Sequence, residues 1–252
     1  MDKLPVEKED IYSAKILEAY AEHTRKDGIK GDNIHVFKDD RNRPYNLNIW
    51  GIRSDNQHAG FFDDTLVVWS DSYYNKFTVT VDPSDLYLLN PIHKKGTAII
   101  KPGQYRGVWK KGFHQRREDH PALVQVNPIK VYRDFNKDDI LDWEKPKYNY
   151  SIIKRIDANT SVQEFLNAEH KIVFKIHTGI FGINCHRASK WKIKERVGLY
   201  SAGCVVHNNP IRYEKEFLNV IDKAITNWGN SFSFTLVTEQ QLNKFVDEKY
   251  NK

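Results

Sequence analysis

The sequence predicts an α+β fold that is mainly β: a β-sandwich or barrel with a few flanking helices. Three observations carry that prediction. Short segments rich in β-branched residues succeed one another from about residue 47: 66–69, 77–81, 97–100 and 122–126. Such side chains suit a pleated, half-buried surface. Turn-forming pairs, Asp82-Pro83, Asn90-Pro91, Pro102-Gly103 and Asn127-Pro128, punctuate them. No regular alternation of strand and helix patterns appears, which argues against a parallel α/β sheet and for a sandwich or barrel.

The composition supports a folded chain. Of 252 residues, 40% are hydrophobic and 13% aromatic, enough for a sizeable core in one or two domains. The formal net charge of +6 suits an anionic target such as a cell wall or nucleic acid and specifies neither. Lys and Arg are dispersed and no nucleic-acid motif is present, so no specific nucleic-acid partner is expected. The N-terminus has no apolar h-region, so no signal peptide is expected. No run approaches the ~18 apolar residues of a spanning helix, so no membrane span is expected. Two cysteines, Cys185 and Cys204, make no disulfide framework.

Along the chain, residues 1–46 read as an N-terminal helix and a charged connection. Asp10 is the expected cap, with Ile11, Ala14, Leu17 and Ala21 at helical spacing over 10–23. Gly28, Gly31 and Pro44 break the connection. Residues 47–252 form the main domain, with 171–237 as its motif-bearing half. Within it, Asp134, Asn136, Asp138 and Asp142 match the first ligand positions of a calcium loop, but Lys145 stands where the closing carboxylate belongs. An acidic surface turn is the alternative. Residues 146–160 read as a link or an edge strand. Ser161-x-x-Glu164 has the form of a capping box opening a short helix through about Ala168. Alternation over 172–177 predicts a strand. Asn209-Pro210 starts a helix that Gly229 ends, and Phe232, Phe234 and Leu236 alternate as a last strand.

The chemistry concentrates between Ile183 and His207. Cys204 is a candidate nucleophile, and an imidazole such as His186 lowers a thiol's pKa and takes its proton. Gly203 permits close backbone approach, and the N–H groups of Gly203 and Cys204 are candidate oxyanion donors. Arg187 opens a basic run, 187–196, that reads as a loop. The alternatives are a small buried cysteine with a structural histidine, or a zinc site drawn from His177, His186, Cys204 and His207, though no H-x-x-x-H or C-x-x-C spacing supports zinc.

The spacing carries a resemblance. His186, a gap of fourteen residues, then Ser201-Ala202-Gly203-Cys204 resembles the signature of the L,D-transpeptidase (YkuD-type) family, in a divergent branch associated with bacteriophages and Bacteroidetes. The family's His inside the cysteine motif is Ala202 here, and its Asn or Arg is Val206. The resemblance implies an L,D-transpeptidase-like sandwich or barrel. It implies Cys204 as nucleophile, His186 as base and Ser201 orienting His186, with no cofactor and no metal. Tyr105, His114, Arg187 and Tyr200 are weaker candidates for the substrate cleft. The implied substrate is a peptidoglycan stem peptide, with virion or lysis partners. The implied location is a phage virion, or the host cytoplasm with access to the wall at lysis. A non-catalytic wall-binding or virion protein retaining the fold is the alternative that Ala202 and Val206 favour.

Overall fold

The computed structural model describes residues 10–26, 33–141, 151–157, 160–166 and 172–250. Its strands are β1 (Asn48–Arg53), β2 (Asp64–Ser70), β3 (Tyr73–Thr80), β4 (Thr97–Ile100), β5 (Gly103–Phe113), β6 (Pro121–Gln125), β7 (Ile129–Asp134), β8 (Ser151–Asp157), β9 (Thr160–Leu166), β10 (Ile172–Gly179), β11 (Cys185–Arg187), β12 (Val205–His207) and β13 (Phe232–Thr238). The helices are α1 (Ala14–Lys26), α2 (Asp85–Leu89), α3 (Pro210–Arg212), α4 (Leu218–Trp228) and α5 (Glu239–Tyr250). The fold is therefore α+β and mainly β.

Eight strands close a barrel in the order β1-β13-β5-β6-β11-β12-β3-β2. Closure leaves that sheet no free edge. Only β1–β13 and β11–β12 run parallel in it. Ile49, Leu66, Val68, Val79, Cys185, Val205 and Phe234 fill the interior, capped by Tyr213, Phe217 and Ile221 from the α3–α4 region. The β2 segment reads as unbroken apolar sequence because it is buried on both faces: Leu66 and Val68 face the interior, while Val67 and Trp69 face α1 and α5.

α1 therefore packs on the barrel. Ile16, Leu17, Tyr20 and Ala21 meet Leu242, Phe245 and Val246 of α5. Asp10 does not cap this helix. Its carboxylate holds the preceding turn through Tyr12 N, and the Ser13 hydroxyl accepts from Ile16 N at 3.3 Å. At the other helix start the expectation holds: the Asn209 side chain accepts from Ile211 N and Arg212 N, with Pro210 at the first position, and Gly229 ends α4 at φ +84°.

A second sheet has the order β4-β7-β10-β9-β8, with β8 at its edge. The helix expected over 161–168 is instead β9, to the extent that it is described. Val162, Glu164 and Leu166 are buried in alternation, and the strand is paired on both sides. Glu164 reaches across to Lys175 at 3.2 Å rather than back to a helix N-terminus. Two flanking strands outweigh a local capping pattern. Ala98, Ile100, Ile129 and Val131 on one face of this sheet join the barrel core, so the two sheets pack together. Among the described residues no helix is long and apolar enough to cross a membrane.

Candidate active site

The cysteine loop, residues 201–204, links a short helical turn to β12. Ser201 organises it. Its hydroxyl lies 2.8 Å from both the Asp82 and Cys204 carbonyl oxygens, and accepts from Gly203 N at 3.1 Å. The Ser201 carbonyl accepts from Ser84 N at 2.9 Å. Below it, the buried Arg53 side chain pairs with Asp82 at 2.7 Å.

Two of the expected roles change as a result. Ser201 does not orient His186: its hydroxyl and carbonyl bond Asp82, Cys204, Gly203 and Ser84, and His186 Nδ1 meets the Arg187 carbonyl instead. The Gly203 N–H is held by Ser201 and so is not free to meet an oxyanion. Gly203 has φ +127°, and a Cβ there would stand 2.6 Å from the Ala98 carbonyl oxygen of β4. The glycine thus allows close approach of the second sheet, rather than of a substrate.

β11 and β12 pair Cys185 with Val205 and His186 with Val206. Cys185 and Val205 point into the barrel core. Side chains alternate along strands, so His186 leaves by the opposite face. Cys204 ends the loop just before β12, and His186 does not line the cleft that Cys204 opens onto. His186 is buried there among imidazoles. His114 stacks on it with centroids 4.0 Å apart, and His120 meets it edge-on at 5.1 Å.

The Arg187 carbonyl oxygen lies 2.8 Å from His186 Nδ1 and 3.3 Å from His120 Nε2. A carbonyl only accepts, so both nitrogens carry protons. His186 Nε2 is then the lone-pair nitrogen, and it is buried without a hydrogen-bond partner. The group that orients His186 is therefore the backbone of its own neighbour, a contact that no side-chain motif encodes.

Asn184 links the two halves of the site and was not singled out from sequence. Its backbone N–H donates to Cys204 Sγ at 3.5 Å, and its carbonyl accepts from Val205 N at 2.9 Å. Its side-chain amide donates to His114 Nδ1 at 3.1 Å and accepts from Gln125 N at 2.9 Å.

Cys204 opens onto a cleft of about 500 Å³ between the cysteine loop and the second sheet, also lined by Lys95, Arg133, His177, Phe181 and Gly182. The electrostatics differ from a preformed thiolate–imidazolium pair. Burial pushes the Cys204 thiol up to about 11, against the opposing pull of the Asn184 N–H. Burial, with His114 and His120 alongside, holds the His186 imidazole well below its usual range. The resting site is thus a neutral thiol and a neutral imidazole. This corrects the expectation of a thiol pKa lowered by His186.

The weaker candidates separate. His114 stays with His186. Tyr105 is buried in the core with its hydroxyl on the Lys101 and Lys130 carbonyls, and lies outside the cleft. The buried Arg187 guanidinium binds Glu214 at 3.0 Å and the Asp119 carbonyl at 2.7 Å. Tyr200 lies beneath the Lys194 ammonium and does not line the cleft.

The zinc candidates do not assemble: His207, the last residue of β12, packs against Phe77, Tyr213 and Phe217 with Nε2 3.6 Å from Cys185 Sγ, while His177 is in the cleft. In the calcium-loop stretch, Asp134 is buried at the end of β7, and the Asp138 carboxylate takes the Asn136 amide and Ile140 N. Asp142 lies outside the described residues. Among the described residues no group of three or more His, Cys, Asp or Glu is placed to hold a metal ion.

Comparison with protein-family models, curated proteins and solved structures finds no match.

Proposed function

We propose that this cleft is the active site of a cysteine acyl-transfer enzyme acting on peptidoglycan stem peptides, on an L,D-transpeptidase-like variant of the barrel. One observation carries the reading. Cys204 opens onto the cleft and leads into β12, the strand paired with the one that carries His186, whose unprotonated Nε2 is buried without a partner. In the resting state His186 Nε2 makes no hydrogen bond to the sulfur, and catalytic contacts of this kind commonly tighten only around substrate.

The reaction begins with the Cys204 thiol proton passing to His186 Nε2 as Sγ attacks the carbonyl carbon at the third stem residue. The C–N bond to the terminal D-residue then breaks, and the imidazolium proton goes to the leaving amine. A thioester on Cys204 remains. An amine acceptor gives a cross-link, and water gives carboxypeptidase or endopeptidase activity. The high thiol pKa suits a proton transfer concerted with attack rather than a stored thiolate. Such a protein acts where it meets the wall, in a phage virion or after release from the host cytoplasm at lysis.

Mass analysis of muropeptides incubated with the protein tests this. Wild type should shorten or cross-link stems and Cys204→Ala should not; full turnover by Cys204→Ala would sink the mechanism.

The raised thiol pKa and the missing His186–Cys204 hydrogen bond favour a second reading, a wall-binding or virion protein that keeps the fold without turnover. On that reading, wild type and Cys204→Ala sediment equally with purified sacculi and neither alters their muropeptides.

A further inference from the structure

Arg133, which lines the cleft that Cys204 opens onto, is a charged group with no counter-charge among the described residues. It lies near the end of β7, opposite Ala98 of β4. The residue is 9% exposed. One guanidinium nitrogen, Nη1, donates to the Gly96 carbonyl at 3.1 Å, and Cζ sits 4.8 Å from the centroid of the Phe181 ring. Its Nε is buried with no hydrogen-bond partner. No Asp or Glu among the described residues pairs with it. Burial alone draws its pKa down, with no acidic neighbour opposing.

A guanidinium stays charged in a protein, and desolvating it without a partner is costly. Among the described residues, the other buried arginines show the usual solution: Arg53 is paired with Asp82 and Arg187 with Glu214. Arg133 departs from that pattern where the wall of the fold opens into the cysteine cleft. Its fork of donors matches a carboxylate in two-point contact. Lys95 on the same cleft adds a second positive charge.

We propose that Arg133 is the receptor for the free C-terminal carboxylate of a short peptide bound in the cleft. This rests on the reading of the cleft as a stem-peptide site, and it adds a specificity: the acyl donor is a peptide acid, not an internal segment of a longer chain. The carboxylate supplies both the missing counter-charge and the acceptor that Nε lacks, while Phe181 packs against the guanidinium. Arg133 so placed is a specificity-determining residue that takes no part in proton transfer.

The test measures binding on the full chain carrying Cys204→Ala, which removes turnover, by calorimetry with a stem tetrapeptide and with its C-terminal amide. The acid should bind about 10- to 100-fold more tightly than the amide, the range for a hydrogen-bonded charge pair. Arg133→Met in the same background should erase the difference by weakening the acid alone, and Arg133→Lys should restore part of it. Equal binding of acid and amide with Arg133 intact would overturn the proposal without reference to any Arg133 variant, so a folding defect in Arg133→Met cannot mask the result. A preference that survives Arg133→Met in a chain with unchanged thermal midpoint overturns it as well, as does failure of both peptides to bind. Turnover by wild type is scored separately. Stem processing that depends on Cys204 but treats acid and amide alike removes Arg133 from the scheme and leaves the cysteine reading standing. Tight acid-selective binding without any processing keeps Arg133 and removes the enzyme.

Discussion

Gly203 and Ala98 hold the two sheets at the distance that makes the cleft: a Cβ on Gly203 would stand 2.6 Å from the Ala98 carbonyl oxygen. Both the position and the φ of +127° exclude a side chain there. Gly203→Ala should cost about 2 kcal/mol or more, since backbone strain of this kind is worth roughly 1–3 kcal/mol before any clash. Gly182, at φ +75° with open space around its Cβ position, is the control; Gly182→Ala should cost about 1–2 kcal/mol from strain alone. Urea unfolding of the two variants checks the order, and equal losses would mean that the Ala98 contact is unimportant.

The thiol of Cys204 should react slowly at neutral pH. With burial holding it up at about 11, the alkylation rate should keep rising well past the free-cysteine value of about 8.5. His186→Ala should leave that resting profile in place, because no hydrogen bond joins the imidazole to the sulfur. An inflection below 8.5 in wild type, lost in His186→Ala, would show an ion pair already formed. Cys185, packed in the barrel core with its own thiol pushed up by burial, should label only on unfolding.

Acid should destabilise the fold through its buried imidazoles. Burial draws His207 down to about 3 and His114 to about 4, and His186 is also held low, against about 6.5 in an unfolded chain. Between these values the unfolded state binds more protons, so stability rises with pH. The contribution is fully present above about 6.5 and is lost as pH falls toward 4 and below. The slope should reach about 1.4 kcal/mol per pH unit for the fully buried His207, and less for the half-buried His114, which solvent screens. Denaturant midpoints from pH 4 to 7 for wild type and His207→Phe check this; an unchanged slope in the variant would remove His207 from the account.

Arg53 and Asp82 support the cysteine loop from below. Arg53 is fully buried, donates to both Asp82 and the Ile100 carbonyl, and the Asp82 carbonyl in turn meets Ser201. Arg53→Met leaves a buried carboxylate without its partner and should cost about 3–5 kcal/mol. Arg53→Met with Asp82→Asn should recover part of that loss. A double variant no more stable than Arg53→Met alone would argue against the ion pair as the cause.

Much of the architecture was legible locally. The strands at 66–69, 77–81, 97–100 and 122–126 and the helix capped by Asn209 follow from β-branched runs, turn pairs and a cap, all of which act over a few residues. The exceptions have the same physical origin. Ser161-x-x-Glu164 is a valid helix start in isolation, yet β8 and β10 pair with this segment on both sides. β5, with glycines and lysines along its length, carries little strand signal and is ordered by β6 and β13.

By itself the sequence determined the mainly-β class, the residue types of the candidate site and the glycine needed before Cys204. Each of these depends on a side chain's own chemistry or on its near neighbours in the chain. Tertiary structure alone decided what those residues meet. It set the Arg187 carbonyl, rather than Ser201, against His186, stacked His114 over the same ring, and gave Gly203 to Ala98 instead of to a ligand. It also left Arg133 without a counter-charge among the described residues, in the cleft that Cys204 opens onto. Pairing register, burial and the approach of one sheet to another join residues tens of positions apart. The pKa values of Cys204 and His186 follow from that burial, so even their protonation was fixed by the fold and not by the motif.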